Sequence, residues 1–435
     1  MKEKIKDWLL WSQKYTKTDM VYIAKGGFWS SLGFTVNSLL STVLLIAFAN
    51  LMPKETYGIY KYIMSIGGAL GFFTLTGINN AITQAVAKGY EGALKEGVKA
   101  QLKWNTLFSI ATGIGGIYYF LKGNQTFALS LIILGIFFPI YSAFNSYGFF
   151  LAGKKEFKLL AKYQIIFAFI YTAGMITGLY FTKNIVVLVL LYSTFHFLTT
   201  LYFYSKTLKT FKPKEGTVIE QKELFKFGGH LSIVNIFSTL SQYVDKIAVF
   251  QFLGPAQLAT YALALAIPDR IKGFIKSITG IILPKLSEKT VEEIKPIFYK
   301  RTFQGLIIGA VLSGVYILIA PFIFKVFFPK YLDSIFYSQL IALSLIFIVP
   351  ATYMGSVFRS QKMIKTIYLS STASHISRII LFLIFGMFWG IFGIIFASIL
   401  MYLIGLLYNF VLWEIEIKKY SELNNGYIDQ DTLAE

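Results

Sequence analysis

Long apolar runs separated by short polar segments dominate the pattern along the chain. A helix that crosses a bilayer needs about 20 mostly apolar residues, and on this criterion the sequence predicts about twelve spans. They begin near Phe28, Tyr57, Trp104, Thr126, Leu160, Asn184, Leu224, Leu258, Phe303, Ile335, Ile367 and Gly390. The apolar stretch 379–413 is too long for one crossing, so we divide it at Trp389–Gly390. The pattern therefore predicts an all-α integral membrane protein.

Composition supports a membrane protein. The chain has 435 residues, of which 55% are hydrophobic and only 14% are charged, whereas soluble domains average about 25% charged residues. Its net charge of +19 would suggest nucleic acid in a soluble protein. In a membrane protein the same charge indicates basic cytoplasmic loops, so we expect membrane lipids and no nucleic acid as partners.

The distribution of positive charge sets the expected topology, because Lys and Arg concentrate in cytoplasmic loops. With both termini cytoplasmic, most of the 41 Lys and Arg fall in inner segments. The predicted outer loops contain only Lys54, Lys122, Lys183, Lys325 and Lys330. This asymmetry favours an even number of spans and two cytoplasmic termini.

An internal repeat divides the predicted spans. Residues 36–37 (Val-Asn) precede a Pro53 turn and Tyr57, and residues 234–235 (Val-Asn) precede a Pro255 turn and Tyr261, about 200 residues later. We therefore expect two six-helix halves related by a pseudo-two-fold repeat. The predicted segments are an N-terminal cytoplasmic or interfacial segment (1–26), a first half (27–206), a cytoplasmic connector (207–222), a second half (223–413) and a cytoplasmic tail (414–435).

Two carboxylates, Asp245 and Asp269, lie well inside predicted spans. At about 1.5 Å per residue from the turn at Gly254, they occupy neighbouring layers of adjacent helices. A charge at membrane depth needs a partner or a watery cavity. We therefore expect Asp245, Asp269 and the adjacent Lys246 to form a charge network.

The second half also contains buried cations. Asp269, Lys272 and Lys276 share one helical stripe, and Arg270 and Arg378 also lie inside spans. We predict that Arg270, Lys272, Lys276 and Arg378 line a lumen and bind phosphate or acidic sugars, because guanidinium and ammonium groups pair with phosphate. The alternative is a packing role, in which Asp269 neutralises its neighbours and Arg378 bonds to backbone carbonyls.

Uncharged polar residues in the spans have two interpretations. Asn37, Asn79, Asn80 and Asn235 could hydrogen-bond sugar hydroxyls in a lumen, or hold helices together. Arg359, at the cytoplasmic end of the tenth span, could act as a gate or extend its charge to the interface.

Several chemistries are excluded by residue content. The chain has no cysteine and only three histidines, which are far apart and form no ligand pattern. No phosphate-binding GxxxxGK[ST] motif occurs. We therefore expect no catalytic residues, no metal site and no cofactor, and we expect H⁺ or Na⁺ as the coupling ion.

Four short motifs indicate a family. They are Leu51-x-Pro53-x-x-x-Tyr57-Gly58-x-Tyr60, Leu253-Gly254-Pro255, Gly77-Ile78-Asn79-Asn80 and Tyr243-Val244-Asp245-Lys246. With two six-span halves, they resemble the multidrug/oligosaccharidyl-lipid/polysaccharide (MOP) exporter superfamily, and within it the Wzx-type flippases of O-antigen and other polysaccharides. Met52 departs from the glycine common in the first turn.

The resemblance implies an alternating-access flippase of the bacterial cytoplasmic (inner) membrane. Its substrate would be an undecaprenyl-diphosphate-linked oligosaccharide moved to the outer leaflet for O-antigen, capsule or exopolysaccharide synthesis. The resemblance favours Asp245 as the residue that takes up the coupling ion, and a polysaccharide polymerase and chain-length regulator as partners. The alternatives are a peptidoglycan-precursor flippase or multidrug exporter of the same superfamily. A membrane polymerase or acyltransferase would need a long outer loop or a convergent histidine site.

Overall fold

The computed structural model describes residues 20–214 and 218–431, which are almost entirely helical and contain no strand. Parts of the predicted N-terminal segment, connector and tail lie outside these residues. The helices are α1 (Met20–Leu51), α2 (Lys54–Leu70), α3 (Ile78–Ala87), α4 (Ala93–Trp104), α5 (Thr106–Leu121), α6 (Gln125–Phe144), α7 (Ser146–Gly153), α8 (Phe157–Phe181), α9 (Ile185–Phe211), α10 (Val218–Ser241), α11 (Val244–Leu253), α12 (Pro255–Ser287), α13 (Val291–Phe327), α14 (Ser334–Ala342), α15 (Ser344–Ser360) and α16 (Ile364–Asp431). Short 3₁₀ helices cover Gly71–Phe73 and Pro329–Tyr331.

The described helices confirm the predicted class. Seven of them, counting α6 with α7 and α14 with α15 as single spans, are long and apolar enough to cross a membrane. An eighth is added if α2 and α3, bent by 59°, form one span. Every predicted span begins within or beside a helix. The chain is an all-α, multi-span membrane protein, while the number twelve and the side of the termini stay predictions.

A buried polar residue lies where the third predicted span begins. Asn105 separates α4 from α5 and is buried, and its amide donates to the carbonyl of Pro139 at 3.1 Å and to Ser142 Oγ at 3.0 Å. Its Oδ1 lies 3.4 Å from the backbone nitrogen of Leu75. A buried amide must be hydrogen-bonded, so this break joins three consecutive predicted spans.

Two other helix boundaries have local causes, one in the backbone conformation and one in side-chain capping. Gly390 has φ 58° and ψ −135° inside α16, a region that is costly for residues with a Cβ. The helix therefore breaks at the predicted position between the last two spans. At the start of α13, the Thr290 hydroxyl and the Glu293 carboxylate cap each other's backbone N–H groups.

The chain folds into two compact units, one ending at Tyr243 and the other beginning at Val244. Helix α10 belongs to the first unit, where the backbone N–H of Gly77 donates to Ser232 Oγ at 2.9 Å. The predicted segment boundaries, which assign α10 to the second half, stay a prediction.

Each unit has an aromatic core, and apolar residues also cover much of the outside. In the first unit, the Tyr163 and Phe203 rings stack at 4.3 Å; in the second, Phe298 and Trp413 stack at 4.1 Å. On α5 the outward row Ile110, Ile114, Ile117 and Leu121 is 57 to 79% exposed. A continuous exposed apolar row at helical spacing is typical of a face in contact with lipid.

Candidate functional site

The second unit contains a buried carboxylate with three polar partners. Asp245 lies in the first turn of α11 and is 1% exposed. Its Oδ2 accepts a 3.0 Å hydrogen bond from the Tyr261 hydroxyl on α12 and lies 3.7 Å from Arg378 Nη2 on α16. Its Oδ1 lies 3.5 Å from Lys246 Nζ. Asp245 therefore links three helices of the unit.

The surroundings of Arg378 explain how its charge is accommodated. The guanidinium lies 5.1 Å from the centre of the Phe382 ring, and its side chain is 23% exposed. Asp269, Tyr261 and Tyr402 are also close enough to act on it electrostatically. A cation at the centre of a membrane helix costs about 2.5 to 3.5 kcal/mol on insertion scales, and these neighbours offset that cost.

A second charge pair lies on α12. Lys272 is buried, with Nζ 3.4 Å from Asp269 Oδ1 and 5.0 Å from the centre of the Tyr402 ring. Asp269 is 53% exposed, and Lys276 is exposed. The residues of the predicted stripe therefore differ in burial: Lys272 lies beside Tyr402, whereas Asp269 and Lys276 are exposed.

The other cations predicted to bind substrate also have local contacts. Arg270 Nη1 donates to the carbonyl of Ala266 at 2.6 Å. His375 lies close enough to Arg378 and Lys276 for both cations to affect it electrostatically. The second unit thus assembles Asp245, Arg378 and Lys246 into one network, with the Asp269–Lys272 pair and the two other cations nearby.

The four asparagines that were predicted as possible polar lining lie in the first unit. Two of them contact other polar side chains, and two are exposed. Asn79 Oδ1 accepts from Gln101 Nε2 at 2.9 Å and from Ser146 Oγ at 2.8 Å. Asn235 Nδ2 lies 3.5 Å from Thr76 Oγ1. These contacts correspond to the helix-joining alternative. Asn37 and Asn80 are exposed.

Arg359, the predicted gate, ends α15 and is exposed. Its Nη2 donates to Ser356 Oγ at 3.1 Å. This contact lies within one helix turn and leaves the charged group at the helix end.

Sequence reasoning missed two aromatic residues of the charge network. Tyr261 donates to Asp245, and Tyr402 lies beside Lys272. The internal repeat carries a signal for Tyr261, because its motif places a tyrosine shortly after each proline turn. Tyr402 stands in a uniformly apolar run that gives no such signal.

Solved structures with this fold are membrane transporters. The inward-facing conformation of a multidrug resistance MATE family transporter of the MOP superfamily matches with a TM-score of 0.66 at 13% identity, covering 89% of this chain and 96% of that one. The inward closed conformation of the lipid II flippase MurJ matches with a TM-score of 0.64 at 17% identity, covering 89% and 87%. The fold is that of MOP-superfamily transporters, as the turn motifs indicated.

Sequence comparison identifies the family. The family described as polysaccharide biosynthesis protein matches residues 23–290, and the chain belongs to this family. A protein of Shigella flexneri whose name assigns it to O-antigen transport is 22% identical, over 67% of this chain and 75% of that protein. These matches confirm the predicted resemblance.

Proposed function

We propose that the protein is a flippase that moves an undecaprenyl-diphosphate-linked oligosaccharide from the inner to the outer leaflet of the bacterial inner membrane. The family and the name of the Shigella flexneri relative support a polysaccharide cargo. The fold shared with MATE transporters and MurJ supports alternating access. The observation that carries the proposal is the Asp245–Arg378 pair inside the apolar helices of the second unit.

This pair offers a way to exchange cargo and coupling ion. Arg378 and Lys246 provide positive charge for a diphosphate, and guanidinium can form two parallel hydrogen bonds with phosphate oxygens. Asp245 holds these cations at 3.7 and 3.5 Å, longer than an optimal charge-assisted hydrogen bond. When Asp245 binds H⁺ or Na⁺, its hold weakens and the cations become available to the diphosphate. Arg270, Lys272 and Lys276 extend the positive region along α12.

The competing functions differ in cargo. A peptidoglycan-precursor flippase or a multidrug exporter would have the same fold, so fold does not separate them from a polysaccharide flippase. Family membership favours the polysaccharide cargo. An enzymatic role has no support among the named matches, which are transporters and a flippase. A polysaccharide polymerase and a chain-length regulator are proposed as partners.

The proposal is tested by export and by reconstitution. In a strain that lacks its polysaccharide flippase, Arg378→Ala should abolish export while the protein remains inserted, because the diphosphate loses its guanidinium. Lys365→Ala controls for the loss of a cation from the same helix, since Lys365 is exposed. Size-exclusion chromatography of the Arg378→Ala protein in detergent controls for the loss of the buried ion pair, which is costly in itself. Proteoliposomes that contain a labelled lipid-linked oligosaccharide then report translocation directly. Normal export by Arg378→Ala, or drug resistance without polysaccharide export, would refute the proposal.

A further inference from the structure

A large groove in the first unit is separate from the charge network. Its volume is about 1140 Å³, above the roughly 300 to 1,000 Å³ usual for small-molecule pockets. Helix α4 and the start of α5 form one wall, and α10 forms the other. The 3₁₀ helix Gly71–Phe73 contributes Phe72 and Phe73. The α10 wall runs from Phe225 to Ile236, about 16 Å along the helix, so the space suits a long ligand.

The part of the groove that α4 lines is basic. Lys95, Lys99 and Lys103 recur every four residues on α4, so they share one face. All three are exposed and lie in a segment predicted to be cytoplasmic. Glu96 is the only acidic residue of the lining, and it accepts a hydrogen bond from Tyr90. The lining therefore has a surplus of positive charge at its predicted cytoplasmic end.

Beyond the lysines the groove becomes apolar. Trp104 and Leu107 are 51% and 40% exposed on one wall, and Ile233 is 67% exposed on the other. From Lys95 to Trp104 the α4 wall extends about 14 Å along the helix axis, and Leu107 continues it at the start of α5. It continues into the lipid-facing row of α5, so an apolar chain could enter from the bilayer.

The α10 wall has few polar groups for a ligand. The Ser232 hydroxyl already accepts from the Gly77 N–H at 2.9 Å and donates to the Gly228 carbonyl at 2.8 Å. Gly229 has no side chain, and a Cβ built there would have no atom within 4 Å. Sugar recognition needs several hydrogen-bonding groups, which this wall does not provide. An apolar chain with an anionic head fits it better.

We propose that this groove binds the polyprenyl diphosphate part of the cargo at the cytoplasmic leaflet, with the diphosphate on Lys95, Lys99 and Lys103. The prenyl chain lies between Trp104 and Ile233. Three lysines against one glutamate match a diphosphate better than the single charge of a phospholipid phosphodiester. The inference rests on the proposed function, because it assumes a lipid diphosphate cargo, and it adds a capture site outside the charge network.

The test is photolabelling of the purified full-length protein in phosphatidylcholine nanodiscs. The probe is a polyprenyl diphosphate with a diazirine in its prenyl chain, and labelled residues are located by mass spectrometry. We expect label on α4, α5 and α10 around the groove, and competition by unlabelled polyprenyl diphosphate but not by phosphatidylglycerol. Equal competition by phosphatidylglycerol would indicate a general site for anionic phospholipids and would overturn the proposal.

Two variants test the two ends of the groove. Gly229→Phe fills the open space and should lower labelling about tenfold, and Lys99→Glu, an exposed change that spares packing, should lower it by a similar factor. Gly113→Phe is the control for the first, since its Cβ would also meet no atom within 4 Å and it lies outside the groove. Lys209→Glu, on the exposed end of α9, is the control for the second. Undiminished labelling of Lys99→Glu would also overturn the proposal.

The proposed capture site and the proposed flippase activity can be refuted separately. If Arg378→Ala stops translocation but Gly229→Phe and Lys99→Glu transport and label normally, the capture site is wrong and the flippase proposal stands. If the groove binds the probe as expected but the wild-type protein does not translocate a lipid-linked oligosaccharide, the flippase proposal is wrong and the binding site stands.

Discussion

Arg378 Nη2 lies 3.7 Å from Asp245 Oδ2, although the two residues belong to helices that are far apart in the sequence. The carboxylate is almost fully buried, and the guanidinium is partly so. Replacing one member of a buried ion pair leaves the other charge without compensation, which is costly. The pair therefore connects the stability of the second unit to its proposed role in transport.

Asp245→Asn should lower the free energy of unfolding by about 3 kcal/mol, at the lower end for a buried pair because Arg378 retains some solvent contact. Adding Arg378→Gln should cost less than the sum of the two single changes, since the double variant leaves neither charge isolated. Unfolding in detergent micelles measures both effects. The control Lys419→Gln removes a 57% exposed partner of Glu416 and should cost only about 0 to 1 kcal/mol. Strict additivity of the first two changes would contradict a direct pair.

Tyr261→Phe tests the hydroxyl that contacts Asp245. The ring stays, but the 3.0 Å hydrogen bond to the carboxylate is lost. Hydrogen bonds to charged groups contribute about 1.5 to 3 kcal/mol, so unfolding in micelles should become easier by that amount. Tyr180→Phe is the matched control, because Tyr180 is 70% exposed and should tolerate the change. Equal stability of the two variants would mean that the hydroxyl does not stabilise Asp245.

Some parts of the fold were predictable from sequence, and others were not. Apolar run length located the helices and predicted a division at Trp389–Gly390, and the structure shows that the break falls there because glycine tolerates a positive φ. The start of the third span near Trp104 was predicted, but the hydrogen bonds of Asn105 were not, since their partners Pro139 and Ser142 lie on another helix. Periodicity predicts which residues share a face of a helix, but it does not determine which neighbouring helix that face contacts.

The same limit applies to the candidate site. Sequence predicted that Asp245 and Lys246 belong to a charge network, because charges at membrane depth need partners. It did not pair Arg378 with Asp245, because helix α16 could contact many others. The spacing predicted Lys272 on one stripe with Asp269, and the two are in contact, but the sequence did not predict that packing places Lys272 Nζ beside Tyr402. Tertiary contacts decided both outcomes.

Lys272 and Lys276 should differ in their effects on stability. Lys272→Ala removes a buried side chain, its contact with Asp269 and its position beside Tyr402, so it should lower both stability and export. Lys276→Ala changes an exposed residue, so it should weaken export with a stability change within about 0.5 kcal/mol. Micelle unfolding and polysaccharide export are measured on the same preparations. A large loss of stability in Lys276→Ala would contradict the difference in burial.

The break in α16 can be tested by protein stability alone, without a transport assay. Gly390→Ala should lower the free energy of unfolding by about 1 to 3 kcal/mol, because φ 58° with ψ −135° is unfavourable for a residue with a Cβ. The added Cβ would also lie 3.2 Å from Leu253 Cδ2. Gly314→Ala provides the opposite control, since Gly314 lies within α13 and its Cβ would meet no atom within 4 Å. There alanine should stabilise by about 0.4 to 1 kcal/mol, because it restricts the unfolded chain. If unfolding measurements showed the same sign for both substitutions, the backbone conformation at Gly390 would not be the cause of the helix break.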